Sequence, residues 1–218
     1  MNEITYSRKN KMIKITNPKN TAVLYVHGKG GKAEEAEHYK TLFPDLYIQG
    51  LDYKTNSPWE TNKEIEAAVN NLKTSYETVI LIANSIGAFF SMNADICKKI
   101  EHAYFISPMV DMEKMISNLM LWTKVTEEDL KREKIIKTDF GEDLSWEYLC
   151  YVREHPLNWT VPTEILYGSK DMLISYDSIK AFADKTGSNL TIMEGGEHWF
   201  HTEEQMKFLD EWIKQASN

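Results

Sequence analysis

Apolar residues cluster along this chain in short, nearly unbroken runs: residues 22–26, 78–83, 103–106, 164–167 and 190–193. Each run is too short for a helix and rich in branched or aromatic side chains, the pattern of a buried strand. Met12-Ile13-Lys14-Ile15 alternates as an outer strand does, and Leu46-Tyr47-Ile48 forms a further short one leading to Asp52-Tyr53. Between the runs the period lengthens. Ile65, Ala68, Val69 and Leu72 share a helical face behind Thr61-Asn62-Lys63-Glu64, a capping-box sequence. A second such box, Thr202 to Gln205, opens a helix that aligns Met206, Leu209 and Ile213, and a third helix is expected from about Ile86 to Lys99. Strands alternating with helices predict a mostly parallel sheet with helices on both faces.

The alternation stops between Ser107-Pro108 and Trp159. That stretch carries Met109, Met112, Met115, Met120 and Trp122, then a charged run over 127–134, then Trp146, Tyr148, Leu149, Tyr151 and Val152. Two or three helices without a strand are expected there, as an insertion at about 108–159 in a single domain covering 1–218. The charged run fits a solvated helix face, and most of the methionines and aromatics fit a packing surface. Methionines turned toward the sheet would suit an adaptable apolar pocket.

Chemistry gathers where the predicted strands end. Run 78–83 breaks at Asn84-Ser85-Ile86-Gly87, which puts one hydroxyl between small residues, Ala83 and Gly87. To lift a serine above a sheet edge the chain must turn sharply from strand to helix, and only small neighbours allow that approach. Run 22–26 leads into His27-Gly28-Lys29-Gly30-Gly31, a loop suited to turning backbone N–H groups toward a developing oxyanion. Run 164–167 leads into Gly168-Ser169-Lys170-Asp171, and run 190–193 into Gly195-Gly196-Glu197-His198-Trp199-Phe200. Serine, aspartate and histidine thus follow strand ends in that chain order.

These four pieces, in sequence and over nearly the whole chain, resemble the α/β-hydrolase family. The chain departs from the family at Ala83, where glycine is usual. The resemblance implies the α/β-hydrolase fold with a helical cap formed by the insertion. It also implies serine hydrolase chemistry with Ser85 as nucleophile, His198 as general base and Asp171 as its carboxylate partner. Backbone N–H groups of Lys29 and Ile86 are the expected oxyanion hole. The rivals are His201 for the base and Asp111 for the acid, while His27 is assigned to the loop's structure. The expected substrate is a small acyl compound such as a carboxylic ester. Thioesters, amides or peptides, and a hydrolase-like protein that binds without turnover, are the alternatives.

Composition narrows the partners. The formal charge is −8, from 33 acidic and 25 basic residues with no basic stripe, so nucleic-acid binding is not expected. No apolar run is long enough to span a membrane, and the start Met1 to Lys9 lacks a signal peptide's hydrophobic stretch, so a cytoplasmic location is expected. Cys97 and Cys150 do not form a disulfide framework and are expected to be buried, and neither has metal-ligand spacing with the six histidines. Neither a metal nor a cofactor is expected.

Overall fold

A computed structural model of the chain describes residues 17–139 and 141–217. The expected outer strand at Met12 to Ile15 lies outside them. Six strands form one sheet in the order β2-β1-β3-β4-β7-β8: β1 (Thr21–Val26), β2 (Tyr47–Leu51), β3 (Thr78–Asn84), β4 (His102–Ile106), β7 (Thr163–Gly168) and β8 (Asn189–Met193). Every pairing in this sheet is parallel. The carboxyl ends of all six therefore share one edge.

Successive residues in a strand point to opposite faces, so each strand feeds two layers. Val23, Tyr25, Ile80, Ile82, Tyr104 and Ile106 join one core with Tyr39 of α1 (Ala36–Leu42) and Leu209, Trp212 and Ile213 of α8 (Glu203–Ala216). The alternate residues, among them Leu24, Leu81, Phe105 and Ile165, are equally buried on the opposite face. On that side β1 and β3 meet α2 (Pro58–Lys73) and α3 (Ile86–Met92). The remaining sheet helix, α7 (Tyr176–Thr186), packs against β8. Burial of side chains this size is worth roughly 1.5–3 kcal/mol each and accounts for the mostly apolar character of the runs.

The chain divides into two compact units. One holds the sheet, within residues 17–110 and 159–217, and the other is Asp111–Asn158. The second unit consists of α4 (Met112–Thr123), α5 (Glu127–Glu133), α6 (Trp146–Glu154) and a small antiparallel pair, β5 (Ile135–Ile136) with β6 (Leu144–Ser145). Each helix starts on a side-chain cap: Asp111 accepts the Lys114 N–H, Thr126 that of Asp129, and Ser145 that of Tyr148. Arg153 ties the unit by hydrogen bonds of 2.7 Å to Glu113 and 2.7 and 2.9 Å to Glu127.

Four expectations need correction. The stretch between 108 and 159 does contain strands, β5 and β6, whose two residues each are too few to create a readable period. Helix α2 begins at Pro58 behind Ser57, not at a box on Thr61, because proline presets the first helical turn. Thr61 is instead buried within α2 and donates to the Thr55 carbonyl at 3.0 Å. Helix α3 ends at Met92 and not near Lys99, since the Asn93 side chain turns back to donate to the Phe89 carbonyl at 2.8 Å. Cys97 and Cys150 are free thiols of intermediate exposure, not buried ones.

Candidate active site

Ser85 stands between the last residue of β3 and the first of α3, with φ 51° and ψ −117°. A side chain held at positive φ stores roughly 1–3 kcal/mol of strain, so its surroundings must fix it. Its N–H donates to the Ile106 carbonyl at 2.9 Å, and its carbonyl accepts the N–H groups of Ala88 and Met109, each at 3.1 Å. Two residues on, Gly87 presses against the end of β1. A Cβ there would lie 2.4 Å from the His27 carbonyl oxygen and 2.6 Å from that of Val26, which no real atom tolerates. The small residue expected at 87 is thus demanded by backbone on backbone.

The ends of β7 and β8 are equally close. A Cβ on Gly168 would lie 2.4 Å from the Gly196 carbonyl oxygen, and that same oxygen accepts the Lys170 N–H at 2.8 Å. The Ser169 N–H reaches the Met193 carbonyl at 3.0 Å. These bonds lock the segment carrying Asp171 to the segment carrying His198.

The outcome is one hydrogen-bonded line. His198 Nε2 lies 2.8 Å from Ser85 Oγ, and His198 Nδ1 lies 2.7 Å from Asp171 Oδ2. The other Asp171 oxygen accepts the N–H groups of Leu173 at 2.8 Å and Ile174 at 2.9 Å. Each of these partners can donate, as an acceptor-only carboxylate requires. With Nδ1 donating to it, Nε2 is left to accept the serine proton. The side chains of Asp171 and His198 are 0% and 3% exposed, so this pair is shielded from bulk water.

Beside the line lies the glycine-rich loop after β1. Gly28 comes within van der Waals reach of Ser85, since a Cβ on it would meet the Ser85 Cβ at 3.3 Å. His27 Nδ1 contacts the Gly28 carbonyl at 2.8 Å, and the Gly31 N–H donates to that same oxygen at 3.1 Å. A carbonyl can only accept, which makes His27 Nδ1 the protonated nitrogen. Lys29 follows in this loop, and Ile86 is the first residue of α3.

The rivals have contacts of their own. Asp111 caps α4 in the second unit. His201 precedes α8, with its side chain 59% exposed and 3.5 Å from the Glu197 carboxylate. His38 bonds Asp210 at 2.7 Å, and His155 stacks on Tyr151 with ring centroids 4.1 Å apart. Sequence reasoning missed two residues that touch the glycine loop or its flank, Tyr53 and Glu35. Tyr53 carried a weak signal as the residue just past a predicted strand, while Glu35 carried none. Among the described residues, no group of three or more His, Cys, Asp or Glu is placed to hold a metal, and no helix is long and apolar enough to cross a membrane.

No family model matches the sequence, and no curated protein matches it significantly. Solved structures do match. Est1E from Butyrivibrio proteoclasticus aligns with a TM-score of 0.74 at 17% identity, over 92% of this chain and 88% of its own. The mouse alpha/beta hydrolase domain-containing protein 10 aligns with a TM-score of 0.73 at 13% identity, over 98% and 97%. The Pyrococcus furiosus esterase Pf2001 aligns with a TM-score of 0.63 at 15% identity, over 91% and 81%. Taken with the parallel sheet and its sharp turn at Ser85, these likenesses give the chain the α/β-hydrolase fold.

Proposed function

We propose that this chain is a serine hydrolase that cleaves a carboxylic ester or a related small acyl compound through an acyl-enzyme on Ser85. The observation that carries the reading is the pair of hydrogen bonds at His198, 2.8 Å to Ser85 and 2.7 Å to Asp171. A serine hydroxyl hardly ionises near neutral pH, so it needs a base in contact. His198 Nε2 takes the Ser85 proton as Oγ attacks the acyl carbon, and the imidazolium so formed is offset by Asp171.

Charge then builds on the carbonyl oxygen. The backbone N–H groups of Lys29 and Ile86 are the proposed donors to it, and losing one such donor costs about 3 kcal/mol of transition-state stabilisation. Collapse breaks the bond to the alkoxide oxygen, which takes the proton from His198 and leaves as the alcohol. Water, deprotonated by the same nitrogen, attacks the acyl-enzyme, and the acid leaves as Ser85 recovers its proton. The esterase name of the Pyrococcus furiosus neighbour supports an ester as the first substrate to test.

The test is covalent labelling with a fluorophosphonate, alongside turnover of a short p-nitrophenyl ester. One label per chain is expected, with both label and turnover lost in Ser85→Ala. A wild-type chain that takes up no label and leaves the ester intact would overturn the reading.

A further inference from the structure

The glycine-rich loop 27–31 has few side chains with which to hold its own shape: Gly30 sits at φ 70°, and Gly28 and Gly31 offer no atoms beyond the backbone. Two residues outside it supply the grip. On one flank, the Tyr53 ring stacks on the His27 imidazole with centroids 4.2 Å apart and planes 11° apart. The Tyr53 hydroxyl donates to the His27 carbonyl at 3.1 Å, the oxygen against which Gly87 is pressed. Tyr53 is itself buried and meets Phe90 of α3 edge-on, so it bridges the loop to the helix that starts after Ser85.

On the other flank stands Glu35. One of its oxygens accepts the Tyr25 hydroxyl at 2.5 Å, and the other accepts the Lys32 N–H at 3.1 Å, directly after the loop. The same carboxylate fills the space beside Gly31, where a Cβ would come 2.9 Å from Glu35 Oε1 and 3.0 Å from the His27 Cβ. Tyr25 is a buried residue of β1, so Glu35 anchors the end of the loop to the sheet. Burial, then Tyr39 and Glu35, push the Tyr25 hydroxyl well above the usual phenol range, which keeps it a donor to Glu35. Asn84, the residue before Ser85, acts on that hydroxyl in the opposite sense.

We propose that Tyr53 and Glu35 are positioning residues for the reaction at Ser85: between them they fix the backbone of 27–31 so that the Lys29 N–H meets the oxyanion. Neither touches the reacting atoms. Their effect comes through a donor whose worth depends on its being in place before charge develops. The inference rests on the reading of Ser85 as nucleophile.

The experiment measures kcat and KM for a p-nitrophenyl ester and the inhibition constant of a trifluoromethyl ketone, whose serine adduct carries the same oxyanion. Tyr53→Phe keeps the stacked ring and removes only the hydroxyl. Glu35→Ala removes both acceptors, and Glu35→Gln restores one. The expected result is a fall in kcat of about 10-fold for Tyr53→Phe and more for Glu35→Ala, with partial recovery in Glu35→Gln. KM should move little, and the ketone's inhibition constant should rise by the factor lost in kcat/KM. Unaltered kcat in an active wild-type background, or a loss of kcat without a matching loss of ketone affinity, would overturn the proposal alone. A wild type that neither turns over the ester nor binds the ketone would overturn the proposal together with the reading of Ser85.

Discussion

Two buried histidines stand at opposite ends of the same parallel sheet. His198, at the carboxyl edge, is 3% exposed and has a partner on each ring nitrogen. His102, the first residue of β4 at the amino edge, is 2% exposed, and neither nitrogen has a hydrogen-bond partner among the described residues. Its close neighbour is the edge of the Tyr104 ring, at a centroid distance of 4.7 Å. Burial alone therefore does not decide whether an imidazole is partnered. What differs is that the loops at the carboxyl edge supply a carboxylate and a hydroxyl, so a proton gained by His198 has a counter-charge in contact, whereas one gained by His102 has none.

The widest separation between the two ends is expected in Ser85→Ala, where ester turnover should fall by about 10⁶-fold in kcat, leaving only what the remaining site provides. Asp171→Asn tests the partner that His102 lacks. It keeps the shape but offers Nδ1 the wrong group, and kcat should fall about 10⁴-fold, while Asp111→Asn in the second unit leaves turnover as it was. Loss of activity in the Asp111 variant instead would show that the carboxylate was misassigned.

The amino edge is probed by pH. Burial pushes the His102 imidazole down to about 4, so the folded chain keeps it neutral while the unfolded chain takes up a proton below pH 6.5. Its folded value is the depressed one for a base, so stability is whole above pH 6.5 and is lost as pH falls from 6.5 toward 4. Between pH 7 and pH 5 this group alone costs about 2 kcal/mol. His102→Leu should remove that much of the acid dependence, measured by urea unfolding of both chains at the two pH values. An equal acid dependence in the variant would refute the account. The smallest effect belongs to Arg153→Ala. Its contacts to Glu113 and Glu127 are exposed, so the unfolding midpoint should move slightly at low salt and not at all at high salt.

The sequence disclosed the sheet because burial on both faces leaves an unbroken apolar run, as in 79–83 and 103–106. That Ser85, Asp171 and His198 come together was legible because each sits just past such a run, and a parallel sheet sends all those ends to one edge. What stayed hidden depends on contacts made only after folding. Thr61-Asn62-Lys63-Glu64 has the letters of a capping box, yet Glu64 spends its carboxylate on the Thr55 hydroxyl and on the N–H groups of Lys54 and Thr55. Tyr53 and Glu35 act on a loop far from them in pattern if not in number, and no period in the chain points to either. The unpartnered state of His102 was equally out of reach, since its neighbour Ala103 continues the run as any strand residue would.

Running every strand of the sheet in one direction also gathers all six strand starts on the rim opposite Ser85. The turns at 74–77 and 187–188 join helix ends to strand starts there, as far along each strand from Ser85 as the sheet extends. Extra residues or a fused tag placed in those turns would be carried on the sheet rim away from Ser85, which marks them as sites for engineered insertions.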